Sequence, residues 1–185
     1  MPLPSPTVLG ACFGISELLL AWVKRAKHSS DSRDRGSLRL LWFVIFVCMS
    51  GATYVSHVTP SLALFKNLYA VGVALFVIGL GLRWYAIIHL GRFFTVNVAI
   101  QNDHRVVSSG PYRLVRHPSY LGALLAFLGL GVCFINLISF AIIVVPITAA
   151  FIYRIRIEES ALMESLGTNY REYAARTKRL IPFIY

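Results

Sequence analysis

Apolar and polar positions divide the chain into long hydrophobic runs separated by short charged segments. The first run, Thr7 to Val23, is followed by the polar stretch "KRAKHSSDSRDRGSLR". Its charges come after the run and no small-residue cleavage pattern follows Ala21, so it reads as a transmembrane helix and not a signal peptide. Glu17 is its one charged residue. A second run, Leu38 to Val58, and a third, Leu68 to Leu90, are each long enough to cross a bilayer at about 1.5 Å per residue. The third carries Gly72, Gly79 and Gly81, small residues that let helices approach closely, and ends in Arg83, Trp84 and Tyr85, which suit an interface belt. From Ser119 to Tyr153 the chain is apolar for 35 residues, too long for one crossing. The "FINLIS" segment around Asn136 predicts a turn there, giving two helices in a tight hairpin with Pro146 kinking the second. Arg154 to Tyr185 is charged, and "RIRIEESALMESLG" reads as a helix capped at Gly167. The expectation is an all-α, polytopic membrane protein of about five transmembrane helices, with a C-terminal hairpin and a cytosolic C-terminal helical segment.

Composition supports this pattern. The 185 residues are 57% hydrophobic and 14% charged, with a mean hydropathy of +0.66. A soluble domain of this size has too little interior to hide so much apolar surface. The net charge of +10 does not indicate nucleic-acid binding, because the charges sit between apolar runs and not along one face or in a tail. They report topology instead. With five spans, the loop after the first, the loop after the third and the C-terminal segment share one side. They hold six, four and six Lys and Arg residues against Lys66 alone opposite, Arg83 being counted with its helix. The basic side is expected to face the cytoplasm. Cys12, Cys48 and Cys133 lie within apolar runs without CxxC spacing and read as small buried hydrophobes. "IPFIY" at the C-terminus is not a prenylation box.

Two polar constellations carry candidate chemistry. The first is "QNDHRVVSSGPYRLVRHPSY", Gln101 to Tyr120, in which Gly110-Pro111 marks a turn and His117-Pro118 ends the loop as the fourth span begins. Amides at a helix start, an imidazole and the rings of Tyr112 and Tyr120 suit a polar, partly charged ligand. Arg113 and Arg116 equally suit membrane anchors. The second is "YRIRIEES", with Arg154, Arg156, Glu158 and Glu159 at the end of the last span. Charges at such a place need water or a polar cavity. Arg154 and Glu158 are i,i+4 neighbours, whereas Arg154 and Glu159 stand roughly 140° apart on a regular helix. Arg154 and Glu159 can serve one site only if it wraps around the helix or the helix is distorted. Tyr170 and Tyr173, three residues apart, read as packing on an amphipathic helix. The histidines His28, His57 and His89 show no metal-ligand spacing. GxSxG, P-loop and GxGxxG patterns are absent, which leaves hydrolase and nucleotide-hydrolysing readings without support.

Taken together, "SSGPYRLVRHPSYLG" and, some 35 residues on, "RIRIEESALMESLGTNYREYAARTKRLIPFI" resemble the isoprenylcysteine carboxyl methyltransferase family, part of a wider group with the phospholipid N-methyltransferases. The resemblance covers about His89 to the C-terminus. It implies an S-adenosyl-L-methionine-dependent methyltransferase with its cofactor at the cytosolic face, a lipophilic substrate entering from the bilayer, membrane lipids as surroundings, and neither metal nor nucleic acid. Residues 1–185 then form a single membrane domain, three spans in 1–90 and a methyltransferase core in 91–185. Residue by residue, Gln101, His104, Arg105, Val106, Val107, Tyr112, His117, Pro118, Ser119 and Tyr120 fall on cofactor-contacting positions. Arg154 falls on the substrate-binding arginine. Glu159, in preference to Glu158, falls on the carboxylate beside the cofactor. Competing readings are a phospholipid or amine N-methyltransferase, a sterol-type NADPH-dependent membrane reductase, and a non-catalytic membrane scaffold.

Overall fold

The computed structural model describes residues 3–23, 36–94 and 106–181. Six helices follow in chain order: α1 (Pro6–Val23), α2 (Ser37–Val58), the short α3 (Ala63–Asn67), α4 (Tyr69–Leu90), α5 (Pro118–Cys133) and α6 (Leu137–Arg176). The three N-terminal spans match the apolar runs to within a residue. The short α3, between the second and third spans, has no counterpart in the pattern. Four helices, α1, α2, α4 and α6, are long and apolar enough to cross a membrane, and α5 is a shorter apolar helix. At 16 residues α5 reaches only about 24 Å, short of a bilayer core of about 30 Å.

That short helix is the centre of the bundle. Eleven of its sixteen residues are buried, and its most extensive packing is against α4. Glycines make the contact possible. A Cβ added at Gly79 would fall 2.6 Å from the Gly122 carbonyl oxygen, and one at Gly129 would fall 2.6 Å from the Phe76 nitrogen, so the two backbones touch as small-residue stripes allow. On the other side, α6 packs against α2 and returns along α5. The helix α1 leans on α5 through Phe13, whose ring meets Phe127 at 4.6 Å. Its buried residues Leu9, Phe13, Ser16 and Leu20 recur at helical spacing along one stripe. Large apolar side chains on the far face, among them Leu18, Trp22, Phe43 and Phe46, point outward, where lipid is the fitting solvent. Cys48 and Cys133 are buried as expected, but Cys12 is exposed on this outward face.

The hairpin turn falls at Asn136. Its side chain caps α6 by accepting from the Ser139 amide at 2.9 Å and donates to Thr59 Oγ1 at 2.7 Å and the Pro60 carbonyl at 3.0 Å. One buried amide thus ties the hairpin to the end of α2. Pro146 leaves the α6 backbone helical; the departure comes at Gly167, with φ 53° and ψ −125°. Nor does the helix end there. A further helical stretch runs to Arg176, because Tyr170 and Tyr173 on it are buried and packing extends the helix past its glycine.

Candidate active site

The loop before α5 and the end of the chain are joined by backbone. Val115 and Lys178 form an isolated parallel bridge. The Arg116 amide donates to the Lys178 carbonyl at 2.7 Å and the His117 amide to the Arg179 carbonyl at 3.0 Å. Pro118 supplies the first residue of α5, where a missing N–H is harmless, so His117 sits at the helix cap. Side chains then knit the two segments together. Arg116 donates through Nη1 to the Ala174 carbonyl at 2.8 Å and to the Thr177 carbonyl.

Glu159 lies at the centre of this contact and is 3% exposed. Its Oε1 receives Arg116 Nε at 2.7 Å and lies 3.2 Å from His117 Nε2, while Oε2 receives Arg179 Nε at 2.8 Å. Burial pushes its carboxyl pKa up, but hydrogen bonds from His117, Arg116 and Arg179 outweigh that and hold it down at about 2. Charge-assisted bonds of this kind are the strong ones.

Glu158 has a different environment. Its side chain is 30% exposed, and its Oε2 accepts from the Tyr120 hydroxyl at 2.8 Å and stands 3.9 Å from His117 Nδ1. The same Tyr120 hydroxyl receives Arg154 Nε at 3.1 Å, and Arg154 Nη1 donates to Ser37 Oγ at 2.9 Å. Tyr120 therefore stands between Arg154 and Glu158, the i,i+4 pair on α6. His117 and Tyr120 stack at 5.6 Å with 12° between their planes. This stacked pair on the first turn of α5 spans the angular gap between Arg154 and Glu159: Tyr120 meets one and His117 the other. The polar network wraps the helix.

The remaining sequence candidates divide into three groups. Pro118 and Ser119 are buried, and the Ser119 carbonyl accepts from Arg83 Nη1 at 3.2 Å. Tyr112 is buried in the turn Gly110–Arg113; its hydroxyl donates to the Ala86 carbonyl at 3.3 Å, and its own carbonyl accepts from the Tyr173 hydroxyl at 2.7 Å. Val106 and Val107 are half-buried. Gln101, His104 and Arg105 lie outside the described residues.

Several participants were not among the residues the motifs assigned to contacts. Arg116 and Arg179 hold Glu159. His89, at the end of α4, lies 2.9 Å from Ser109 Oγ and stacks on Tyr112 at 6.3 Å. Gly110, with φ 56°, leaves room for that ring, since a Cβ there would come within 2.5 Å of His89 Cε1. Arg83 is not an interface residue but is buried and clamps Glu17 with two bonds, Nε to Oε1 at 2.5 Å and Nη2 to Oε2 at 2.6 Å. The lone glutamate of α1 and the lone arginine of α4 were separately visible in the sequence; their pairing was not.

Beside this network lies a cleft that is continuous with open space. Phe13, Leu20, Leu41, Trp42, Ile45 and Phe151 give it apolar walls, and Glu17, Arg83, Tyr120 and Arg154 also line it. An apolar slot with a few convergent polar groups is the usual form of a small-molecule site.

A model of the isoprenylcysteine carboxyl methyltransferase family matches residues 72–164. The chain is 36% identical over 177 residues to protein-S-isoprenylcysteine O-methyltransferase A of Arabidopsis thaliana, spanning 93% of this chain and 88% of that protein. It is 32% identical over 177 residues to the B form of the same plant, with the same shares covered. The solved structure of a eukaryotic intramembrane Ras methyltransferase, ICMT, superposes with a TM-score of 0.72 at 28% identity, over 95% of this chain and 64% of that one. The fold is that of an integral, multi-pass membrane protein, and the chain belongs to the isoprenylcysteine carboxyl methyltransferase family.

Proposed function

We propose that this protein transfers a methyl group from S-adenosyl-L-methionine to the carboxylate of a prenylated cysteine, drawn sideways from the bilayer into the cleft. The observation that carries the reading is the junction itself. A cleft with apolar walls, reached by Arg154, adjoins a polar network that gathers Tyr120, His117, Glu158 and Glu159. The basic residues of the loops support placing this junction at the cytosolic face.

The residues fit such a donor. When bound, S-adenosyl-L-methionine supplies an electrophilic methyl on a positively charged sulfur. A partly exposed carboxylate, Glu158, and the stacked rings of His117 and Tyr120 are suited to a cation. Glu159 takes another part. With both oxygens engaged by cations, it latches the C-terminal segment over the start of α5 and so shapes the donor pocket. Residues 91–185 supply the donor side, and α1, α2 and α4 supply most of the acceptor's slot, so the first three spans belong to the working site.

A carboxylate acceptor is ionised at neutral pH and needs no general base. The work left to the protein is to align the reacting groups and exclude water. Arg154 is built for alignment: Tyr120 and Ser37 hold its guanidinium from two sides, and a planar fork matches a carboxylate. The isoprenoid occupies the apolar walls, burial of which is worth roughly 25 cal/mol per Å².

The test is methyl transfer from radiolabelled S-adenosyl-L-methionine by detergent-solubilised protein, offered an N-acetyl prenylcysteine, a free lipid acid and phosphatidylethanolamine in parallel. Methyl ester on the prenylcysteine is the expected product. Methylation of phosphatidylethanolamine alone, or of none of the three, overturns the assignment.

A further inference from the structure

Tyr170 is the exception in an otherwise well-paired site. It is 3% exposed, and its hydroxyl is the one buried side-chain oxygen or nitrogen among the described residues without a hydrogen-bond partner. Its neighbour Tyr173 shows what a structural tyrosine looks like here: ring against ring at 6.0 Å, with the hydroxyl spent on the Tyr112 carbonyl. Leaving a buried hydroxyl unmade costs about 1–3 kcal/mol, so a phenylalanine would serve the apo fold better if packing were all that mattered. The position of the hydroxyl is informative. Burial pushes its pKa up, and the negative charges of Glu159 and Glu158 push in the same direction. The hydroxyl keeps its proton, and the stretch that carries it is tied to Glu159 by geometry: Arg116 donates both to Glu159 and to the Ala174 and Thr177 carbonyls.

We propose that Tyr170 is a further cofactor-contacting residue, its O–H donating to an acceptor atom of bound S-adenosyl-L-methionine. The inference rests on the donor assignment made above. A buried, protonated phenol without a partner is a donor still to be matched, and the stretch beyond Gly167 that carries it is fastened through Arg116 to Glu159, beside the proposed donor pocket. The segment that Glu159 latches in place would thus also carry a direct contact to the donor. This gives the helical stretch beyond Gly167 a function besides packing.

The test compares wild type, Tyr170→Phe and Tyr173→Phe, each as the full chain in detergent. Two quantities are measured: the thermal midpoint without cofactor, and the equilibrium dissociation constant for S-adenosylhomocysteine. Tyr170→Phe should leave the cofactor-free midpoint unchanged or raised and weaken binding by about 3- to 10-fold, the loss of one hydrogen bond. Tyr173→Phe should lower the midpoint, because its bond to Tyr112 is internal. Affinity within about twofold of wild type in Tyr170→Phe overturns the inference, since that is below the value of a single bond. So does a fall of its cofactor-free midpoint alongside that of Tyr173→Phe, which would show that the hydroxyl is structural. Failure of the folded wild type to bind S-adenosylhomocysteine is a different result, which removes the donor assignment and the inference with it.

Discussion

Glu17 and Glu159 are both carboxylates withdrawn from water, yet they are balanced in opposite ways. Glu17, on α1, meets Arg83, which grips both of its oxygens. The pair is nearly neutral and lies on the wall of the cleft. Glu159, on α6, meets Arg116, His117 and Arg179, drawn from two segments far apart in sequence. The first arrangement puts a polar patch within an apolar bundle without a net charge, which is the tolerable way to place ions at membrane depth. The second uses one anion to gather two guanidinium groups and an imidazole and so fixes where the chain's end lies. The first furnishes a pocket and the second holds one shut.

The comparison breaks most readily at Glu159. Glu159→Ala leaves the Arg116 guanidinium without its counter-charge and His117 without its hydrogen-bond partner, a class of change that costs about 3–5 kcal/mol. Arg179, with 34% of its side chain exposed, can turn to water, which places the loss toward the lower end. The expected outcome is a lower thermal midpoint in detergent together with loss of S-adenosylhomocysteine binding. A variant that keeps both would show that the latch is dispensable. Glu158→Gln is the matched control, expected to keep the wild-type midpoint while methyl transfer falls by about 100-fold.

Acid makes a gentler version of the same break. The folded-state carboxyl of Glu159 titrates at about 2 against an ordinary 4.5, so the unfolded chain takes up its proton first. The stability it contributes is complete above about pH 4.5 and drains away as pH falls toward 2, by up to about 3 kcal/mol. Denaturant titrations of wild type and Glu159→Gln across that range should converge at the acid end. Parallel curves would mean that Glu159 is not the titrating group.

The different legibility of the two regions in the sequence has a physical cause. The spans follow from composition alone, because a bilayer demands about 20 apolar residues in a row, and α1, α2 and α4 lie where the runs lie. The hairpin was legible through Asn136, which both interrupts the run and caps the next helix. The residues of the "RHPSY" stretch and of "RIRIEES" were legible as motifs. Which of two adjacent glutamates points where was not, because Tyr120 reaches Glu158 and His117 reaches Glu159 only once α5 lies along α6. Arg83 reads in the sequence as an interface-belt residue and Arg116 stays open between anchor and ligand pocket, since an arginine at a span end has the same appearance whether it meets phosphate or a buried carboxylate. Gly167 was legible as a break but not as a bend within a longer helix, because the buried face of Tyr170 and Tyr173 overrides it.

The membrane pair offers a third test, with its own sign. Glu17→Leu strands Arg83 in the bundle and is expected to cost about 3 kcal/mol, while Glu17→Leu with Arg83→Met returns to within about 1 kcal/mol of wild type, as apolar replacement of a buried ion pair commonly does. Thermal midpoints of the single and double variants give the coupling directly. If the double variant is no better than the single one, Glu17 is doing something other than balancing Arg83.

Arg154 stands between the two regions, and the smallest expected effect asks to which it belongs. Its Nε bonds Tyr120, the residue that also holds Glu158, yet its side chain lines the same cleft as Glu17 and Arg83. Arg154→Lys keeps the charge and removes the fork. If the fork is aimed at the acceptor, KM for the prenylcysteine rises about tenfold while S-adenosylhomocysteine affinity holds. If instead the guanidinium chiefly props up Tyr120, donor affinity falls and acceptor KM does not move. The first result assigns Arg154 to the acceptor's slot, leaving Tyr120 as the joint between the donor and acceptor halves; the second moves that joint one residue outward, to Arg154 itself.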